Sequence, residues 1–254
     1  MIRRPMVCGF LLAAVFAGCN DPDPFMPDRP EPGLYMMLHP GDDALAVAHS
    51  QDSTLYGLLV RTGTPLSTEY LHPESVTMTR RGDGQPLGWQ ILDLTGDAPS
   101  FTASGGSFSA GNLRLPRSTG GSGGGAQSIR PGDLYDLSVV VNGIEILGSV
   151  HVPERPDIRA REVNGQTVLS WSQAAGAGGY EVSFRGGDGA FAGNGLGPDT
   201  TFVLDRPLLA GDRVWLYVYD QNLAAYLLDG QLGRSGIDTG FGFVGAITST
   251  ERLF

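Results

Sequence analysis

The stretch from Leu134 to Val152, LYDLSVVVNGIEILGSVHV, decides the fold class. Apolar residues recur at every second position from Tyr135 to Val141, which is the period of a strand with one buried face. Asn142-Gly143 favours a type I′ turn, because both central positions of that turn need a positive φ. Ile144 to Val152 then returns as a second strand. The sequence therefore predicts a β-hairpin here.

The rest of the chain has the same character. Short runs with period two include Leu45 and Val47, Tyr56 to Val60, and Val76 with Met78, each bounded by Gly, Pro or Asp. No window of eleven or more residues after the N-terminal segment shows a helical apolar face. With 38 glycines and 17 prolines among 254 residues, turns are frequent. These patterns predict an all-β protein.

The N-terminus has the layout of a signal peptide, residues 1–18. Arg3 and Arg4 precede an apolar run from Val7 to Phe16, whose ten residues would span about 15 Å as a helix against the roughly 30 Å of a bilayer core. That length argues against the alternative, a transmembrane anchor. Val15-Phe-Ala-Gly-Cys19 resembles the lipobox of bacterial lipoproteins, with Phe16 where leucine is usual. The resemblance implies cleavage before Cys19 and acylation (palmitate included) of that residue.

Three further segments follow the signal peptide. Residues 19–33 alternate proline with acidic residues and are expected to form a disordered tether. Residues 34–153 are expected to form an N-terminal β-sandwich with a flexible glycine-rich loop at 116–128. Pro153 and Pro156 end the strand pairing, so a second β domain with a C-terminal tail is expected at 157–254.

The net charge and the cysteine content limit the possible functions. The formal net charge is −10 and every basic residue is arginine, which disfavours nucleic acid as a partner. The only cysteines are Cys8 and Cys19, so the remainder has no disulfide and no thiolate metal site. The histidines are His39, His49, His72 and His151, without metal-binding spacing. We expect no metal, no cofactor and no catalytic residue.

Part of the second domain resembles a fibronectin type III domain. Three stretches carry the resemblance: Val168-Leu-Ser-Trp171, Gly179-Tyr-Glu-Val-Ser-Phe184 and Gly211-Asp-Arg-Val-Trp-Leu-Tyr-Val-Tyr219. They look like strands B, C and F, and the resemblance implies that Trp171 packs in the core facing Tyr180 and Val182. The family's F-strand tyrosine is replaced by Val214, so its corner hydrogen bond is expected to be absent.

The whole layout is similar to an uncharacterised family of bacterial outer-membrane lipoproteins. The shared features are Arg130-Pro-Gly-Asp-Leu-Tyr-Asp-Leu, Val152-Pro153 and the run Gly240-Phe-Gly-Phe-Val-Gly-Ala246. The resemblance implies an immunoglobulin-like or transthyretin-like sandwich before a fibronectin III-like one, in tandem. It also implies an outer-membrane location, on the periplasmic or the surface face, and often a TonB-dependent transporter or other outer-membrane protein as partner. The family has no assigned reaction.

One strand carries a candidate binding face. In the F-like strand Val214, Leu216 and Val218 should face the core, which turns Trp215, Tyr217 and Tyr219 outward as a ridge about 13 Å long. Such rings stack on sugars or peptides. The alternative is that the ridge packs on the first domain or under the C-terminal tail, with Phe241, Phe243 and Val244 covering it.

Other motifs have structural explanations. Arg81-Gly-Asp83 is an adhesion-type tripeptide but also fits a hairpin tip, and the GxSxG match at Gly120–Gly124 lacks the strand and helix of a nucleophile elbow. Three functions remain open. They are a non-catalytic accessory lipoprotein of an outer-membrane uptake or surface complex, a glycan- or peptide-binding module, and, more remotely, a hydrolase built from scattered Asp, Glu and His.

Overall fold

The structure is a computed structural model that describes residues 32–40, 53–61, 71–87, 90–91, 100–103, 106–109, 113–116, 129–229 and 234–254. The signal peptide, Cys19, the tether up to residue 31, Leu45, Val47 and most of the glycine-rich loop lie outside these ranges. Within them the protein is all-β apart from one helix of nine residues. No helix in the described ranges has the length and hydrophobicity of a membrane span.

The first sandwich packs two sheets around one core. One of them is half of a continuous nine-stranded sheet and contains, in spatial order, β1 (Pro32–Leu38), β2 (Ser53–Arg61), β8 (Leu113–Pro116) and β5 (Gln90–Ile91). The other contains β4 (Pro86–Leu87), β3 (Ser75–Arg80), β9 (Leu134–Val141), β10 (Ile144–His151) and β18 (Ile237–Thr239). β6 (Ser100–Ala103) and β7 (Gly106–Ser109) form a separate hairpin.

The predicted hairpin is confirmed as β9 and β10. Asn142 and Gly143 have φ values of 52° and 71°, as a type I′ turn requires. The side chains at alternate positions from Tyr135 to Val141 are all buried in the first core. Its position between β3 and β18 makes this hairpin the centre of its sheet.

A tyrosine corner stabilises the start of the same hairpin. The hydroxyl of Tyr135 accepts a hydrogen bond from the backbone N–H of Arg130, five residues upstream, at 3.0 Å. The sequence predicts the absence of such a corner at Val214, and Val214 is a buried core residue there. The corner therefore occurs in the first sandwich.

The second sandwich has the fibronectin III-like arrangement of three strands facing four. The smaller sheet contains β11 (Arg159–Val163), β12 (Gln166–Ser170) and β15 (Thr201–Leu204). The larger contains β14 (Phe191–Gly193), β13 (Ala177–Arg185), β16 (Arg213–Asp220) and the end of β19 (Phe241–Leu253). Trp171 is buried between them with its ring centroid 5.8 Å from that of Tyr180, and Val182 lies in the same core.

The connection from β16 to β19 joins the two sandwiches. It contains α1 (Gln221–Asp229), β17 (Arg234–Ser235), which pairs with β19, and β18, which pairs with β10. The first half of β19 then runs parallel to β1, and its second half runs antiparallel to β16. Strands within residues 237–246, assigned from the sequence to the second domain, therefore pair with the first sandwich, and Ile237, Val244 and Ala246 lie in its core.

Candidate functional site

The three predicted aromatic residues alternate with core residues along β16, as expected. Val214, Leu216 and Val218 are fully buried in the second core. Trp215 and Tyr217 lie on the other side of the sheet and are partly exposed, whereas Tyr219 is only 2% exposed. The ridge is thus not uniformly open to a ligand.

Helix α1 and β19 cover the end of the ridge nearest the first sandwich. The ring of Tyr219 packs with Leu223, Phe243 and Ile247, and its hydroxyl donates a 2.6 Å hydrogen bond to Glu181 Oε2. Tyr217 lies at the margin of the same cluster. Phe243 covers the ridge as the sequence suggested, while Val244 points into the first core. Tyr219 consequently has a structural role.

The far end of the ridge remains open. We call this surface the distal face, and it is formed by Arg185, Phe191, Arg213, Trp215 and Leu253. Residues directly opposite one another on neighbouring strands point to the same side of a sheet. One cross-strand row runs through β14, β13, β16 and β19, and the next row places Trp215 opposite Ser183 and Glu251. The members of the first row are Phe191, Arg185, Arg213 and Leu253.

The distal face combines apolar and charged groups. Phe191 is 75% exposed and Leu253 is 62% exposed, which is high for large apolar side chains. Arg213 Nη1 lies 3.0 Å from Glu251 Oε1, whereas Arg185 forms no ion pair with any described residue. An aromatic ring beside an available guanidinium suits a partner with an apolar group and a carboxylate.

The distal face lies far from the first sandwich. Ala246 is the last residue of β19 that pairs with β1, and Leu253 follows it by seven residues. At about 3.3 Å per residue, the two are separated by about 23 Å. The open part of the ridge therefore belongs to the end of the second sandwich that is remote from β1.

The Arg-Gly-Asp tripeptide forms the tip of the β3–β4 hairpin, as predicted. Residues 81–83 are the turn between these strands. Both carboxylate oxygens of Asp83 accept hydrogen bonds from Arg80, and Arg81 pairs with Asp136 on β9. The hydrogen bond and charge of Arg80 lower the pKa of Asp83. The charged groups of the tripeptide thus have partners within the protein.

The three described histidines do not come together. His39 is buried at the end of β1, His72 is exposed, and His49 lies outside the described residues. His151 is partly buried, with Nε2 3.2 Å from the carbonyl oxygen of Gly132. The described ranges contain no cluster of three or more His, Cys, Asp or Glu suited to a metal ion.

A cavity of about 390 Å³ lies beside the segment that links the sandwiches. Its lining comes from residues 154–157 and 159 and from residues 170–174, at the end of β12 and in the segment that follows it. The charged side chains of the lining are two acids and two arginines, so their formal charges cancel. They are Glu154, Arg155, Asp157 and Arg159, and Trp171 forms part of the floor.

Two buried aspartates bound β16 and were not identified from the sequence. Asp212 precedes the strand and Asp220 ends it, and each is 1% exposed. Asp220 Oδ1 accepts the N–H of Leu223, the bond of a helix N-cap. Asp before a short apolar run is an N-cap signal, but nine residues of helix were too few for the periodicity to show it.

No protein-family model and no curated protein matches this sequence. Among solved structures, one chain described as "Cytokine receptor complex - Crystal form 1A" is similar at 15% identity. The match covers 72% of this chain and 88% of that chain, with a TM-score of 0.28. A likeness at this level carries no information about activity, ligand or partner.

Proposed function

We propose that this protein is a lipid-anchored, non-catalytic accessory protein of an outer-membrane uptake or surface complex. The distal face is the observation that carries the proposal, because it exposes large apolar groups at the end of the molecule remote from β1. Two sandwiches that share a strand suit a rigid support for such a face. The anchoring part rests on the lipobox-like segment at Cys19.

The distal face has the composition of a protein-binding surface. Trp and Arg are enriched among the residues that dominate binding energy in protein interfaces, and exposed apolar groups supply contact area. Phe191 and Leu253 flank Arg185 and Arg213 in one row, and Trp215 lies in the next. A partner segment with an apolar side chain and a carboxylate would match this surface. An outer-membrane transporter, TonB-dependent ones included, is the partner class we expect.

The test is co-isolation from native membranes with matched variants. Tagged full-length protein is extracted in mild detergent, and co-purifying proteins are identified by mass spectrometry. We expect one outer-membrane protein to be recovered with wild type and lost with Phe191→Ala combined with Trp215→Ala. Val203→Ala is the control, since Val203 is 49% exposed but lies on β15 of the opposite sheet. Equal recovery from all three proteins, or recovery of the bait alone, would refute the proposal.

The anchor is tested separately. Cys19→Ser should abolish labelling by a radioactive fatty acid and move the protein from the membrane fraction to the soluble fraction. Cys8→Ser should change neither, because Cys8 lies inside the expected signal peptide. Continued labelling of Cys19→Ser would place the lipid on another residue, and a wild-type protein without label would exclude it.

A second candidate function is direct recognition of a glycan or peptide by the same face. It is favoured by the partial exposure of Trp215 and Tyr217, whose rings remain accessible beside α1. Titration of the purified protein with soluble cell-wall glycans and with acidic peptides, followed by tryptophan fluorescence, separates the candidates. A saturating change with wild type that Tyr217→Ala removes while Trp215 is kept as the reporter, without any co-purifying membrane protein, would favour the second function.

A further inference from the structure

The junction between the sandwiches is concentrated at the start of α1. β16 ends at Asp220, α1 begins at Gln221, and β19 leaves β1 for β16 between Ala246 and Ile247. The three elements β16, α1 and β19 therefore meet at one place. There β16 ends, α1 begins, and β19 changes its strand partner. The side chains of Tyr219, Leu223, Phe243 and Ile247 pack together there, and side-chain hydrogen bonds add to this contact.

One carboxyl group joins two of these elements. Asp220 Oδ1 accepts the N–H of Leu223 in α1 at 2.8 Å and the N–H of Ala246 in β19 at 2.9 Å. Because both bonds end on the same oxygen, moving either element costs that bond or displaces the carboxyl group. We call Asp220 with these two amides the junction clasp.

Asn222 extends the connection to the first sandwich. Its Nδ2 donates to the carbonyl oxygen of Ser149 in β10 at 3.1 Å and to that of Val244 in β19 at 3.0 Å. The first turn of α1 is thereby bonded to β10, β19 and β16 at once. Loosening this turn would loosen the contact between the sandwiches.

The clasp is tightly enclosed by glycines. A Cβ atom on Gly245 would lie 3.1 Å from Asp220 Oδ1 and 2.7 Å from Leu223 Cβ. A Cβ atom on Gly178 of β13 would lie 2.6 Å from the Cα of Gln221. Such close approach excludes bulk solvent, and a charge on Asp220 is poorly solvated as a result.

No cationic side chain among the described residues compensates that charge. In the described part of the chain, Asp220 forms no ion pair, and β19 offers no titratable side chain between Gly242 and Thr248. The titratable groups on the other neighbouring elements are Glu181 of β13, which binds Tyr219, Tyr226 of α1, His39 beyond β1 and His151 of β10. Among the described groups, only the backbone N–H groups of Ala246, Leu223 and Asn222 favour the ionised form.

Asp212, at the other end of β16, gives the contrasting case. It is equally inaccessible, but Arg206 Nη2 lies 2.9 Å from its Oδ2, and the amides of Leu209 and Gly187 donate to it. It lies beside the C-terminal residue of the chain, away from the junction. Burial acts to raise the pKa of Asp212, but the two amides and the guanidinium outweigh it and lower that pKa below 3.8.

We infer that the junction clasp is a pH-sensitive connection between the two sandwiches, closed when the Asp220 carboxyl is protonated and loosened when it ionises. A protonated carboxyl retains Oδ1 as acceptor for both amides, so protonation removes the buried charge without breaking either bond. Ionisation leaves the charge in a site with little solvent. The inference is independent of what the distal face binds.

The burial of Asp220 places this change close to neutral pH. Burial raises the pKa of Asp220 from 3.8 to about 7, against the lowering effect of the N–H groups of Ala246, Leu223 and Asn222. A carboxyl whose pKa is higher in the closed state than in the open state favours closure most at low pH. That advantage falls as pH rises from 3.8 and is lost above about 7.

The experiment is hydrogen exchange of the full-length protein as a function of pH. After correction for intrinsic rates, the opening equilibrium of the amides of Leu223 and Ala246 should rise on the order of 50-fold between about pH 5 and about pH 7, then level off above about pH 8. Asp220→Asn retains Oδ1 and cannot ionise, so its profile should be flat. The control, Asp212→Asn, should keep the wild-type profile at these two amides.

A direct titration of wild type tests the inference without any variant that could misfold. In wild type, the side-chain carboxyl carbon of Asp220 should titrate by NMR with a midpoint near 7, whereas that of Asp212 should titrate below the ordinary aspartate range. A midpoint for Asp220 at or below the ordinary range would overturn the inference. A pH-dependent opening that persists in Asp220→Asn would overturn it as well.

Discussion

Replacing Gly242 by alanine should separate β1 from β19, and the size of the effect follows from the structure. Gly242 lies opposite Leu34 in the parallel ladder and has a φ of 117°, which L side chains rarely adopt. An alanine Cβ would lie 1.8 Å from the carbonyl oxygen of Leu34 and 2.7 Å from its carbonyl carbon. Both atoms belong to the backbone, so the strands must move apart or the glycine must change conformation.

We expect Gly242→Ala to lower the free energy of unfolding by about 2–5 kcal/mol. Unfavourable φ/ψ contributes about 1–3 kcal/mol, and one or two weakened ladder hydrogen bonds contribute about 0.5–1.5 kcal/mol each. For a protein of this size that corresponds to a fall in Tm of about 5–15 °C. Thermal unfolding followed by circular dichroism measures it.

Gly187→Ala is the matched control. Gly187 does not have a positive φ, and the nearest atom to a Cβ there would be 3.6 Å away. Its Tm should stay within about 2 °C of wild type, since alanine restricts only the unfolded chain. If Gly242→Ala melted at the same temperature as Gly187→Ala, the close parallel pairing of β1 with β19 would be refuted.

Three further substitutions test separate contacts. Tyr135→Phe leaves the N–H of Arg130 without its hydroxyl acceptor and should cost about 1–2 kcal/mol in urea denaturation; an unchanged midpoint would deny the tyrosine corner any energetic role. Phe243→Ala removes a fully enclosed ring and should lower the free energy of unfolding by about 3–5 kcal/mol. A variant as stable as wild type would refute this packing. Arg206→Gln removes a group that lowers the pKa of Asp212. The free energy of unfolding of wild type should therefore exceed that of the variant near neutral pH, and this difference should shrink on acidification below pH 3.8. A difference that does not change with pH would exclude the Arg206–Asp212 pair as its cause.

The elements that could be predicted from the sequence are those specified locally. The β9–β10 hairpin follows from period two and Asn142-Gly143, and the inward positions of β16 follow from the same period. Asn164-Gly165, with φ values of 52° and 79°, is an equivalent turn signal between β11 and β12. A signal of this kind depends on two residues and needs no knowledge of the rest of the fold.

Strand partners could not be predicted in the same way. The run from Phe241 to Ala246 is apolar enough for any buried strand, and its partner β1 is about two hundred residues away in the sequence. The burial of Tyr219 depends on that pairing and on α1, so the ridge looked longer from the sequence than it is. The junction clasp depends on the meeting of β16, α1 and β19, which local sequence patterns do not specify either.

The parallel ladder of β1 and β19 also has a mechanical consequence. If the chain is held at a membrane through Cys19, tension enters the folded part at the start of β1. A partner bound at the distal face would pull near the end of β19. In a parallel pair these opposed forces load the ladder from Gly33–Phe241 to Leu38–Ala246 in shear, so its hydrogen bonds resist together and do not open one after another. This strand arrangement thus suits a protein that transmits force between a lipid anchor and a bound partner.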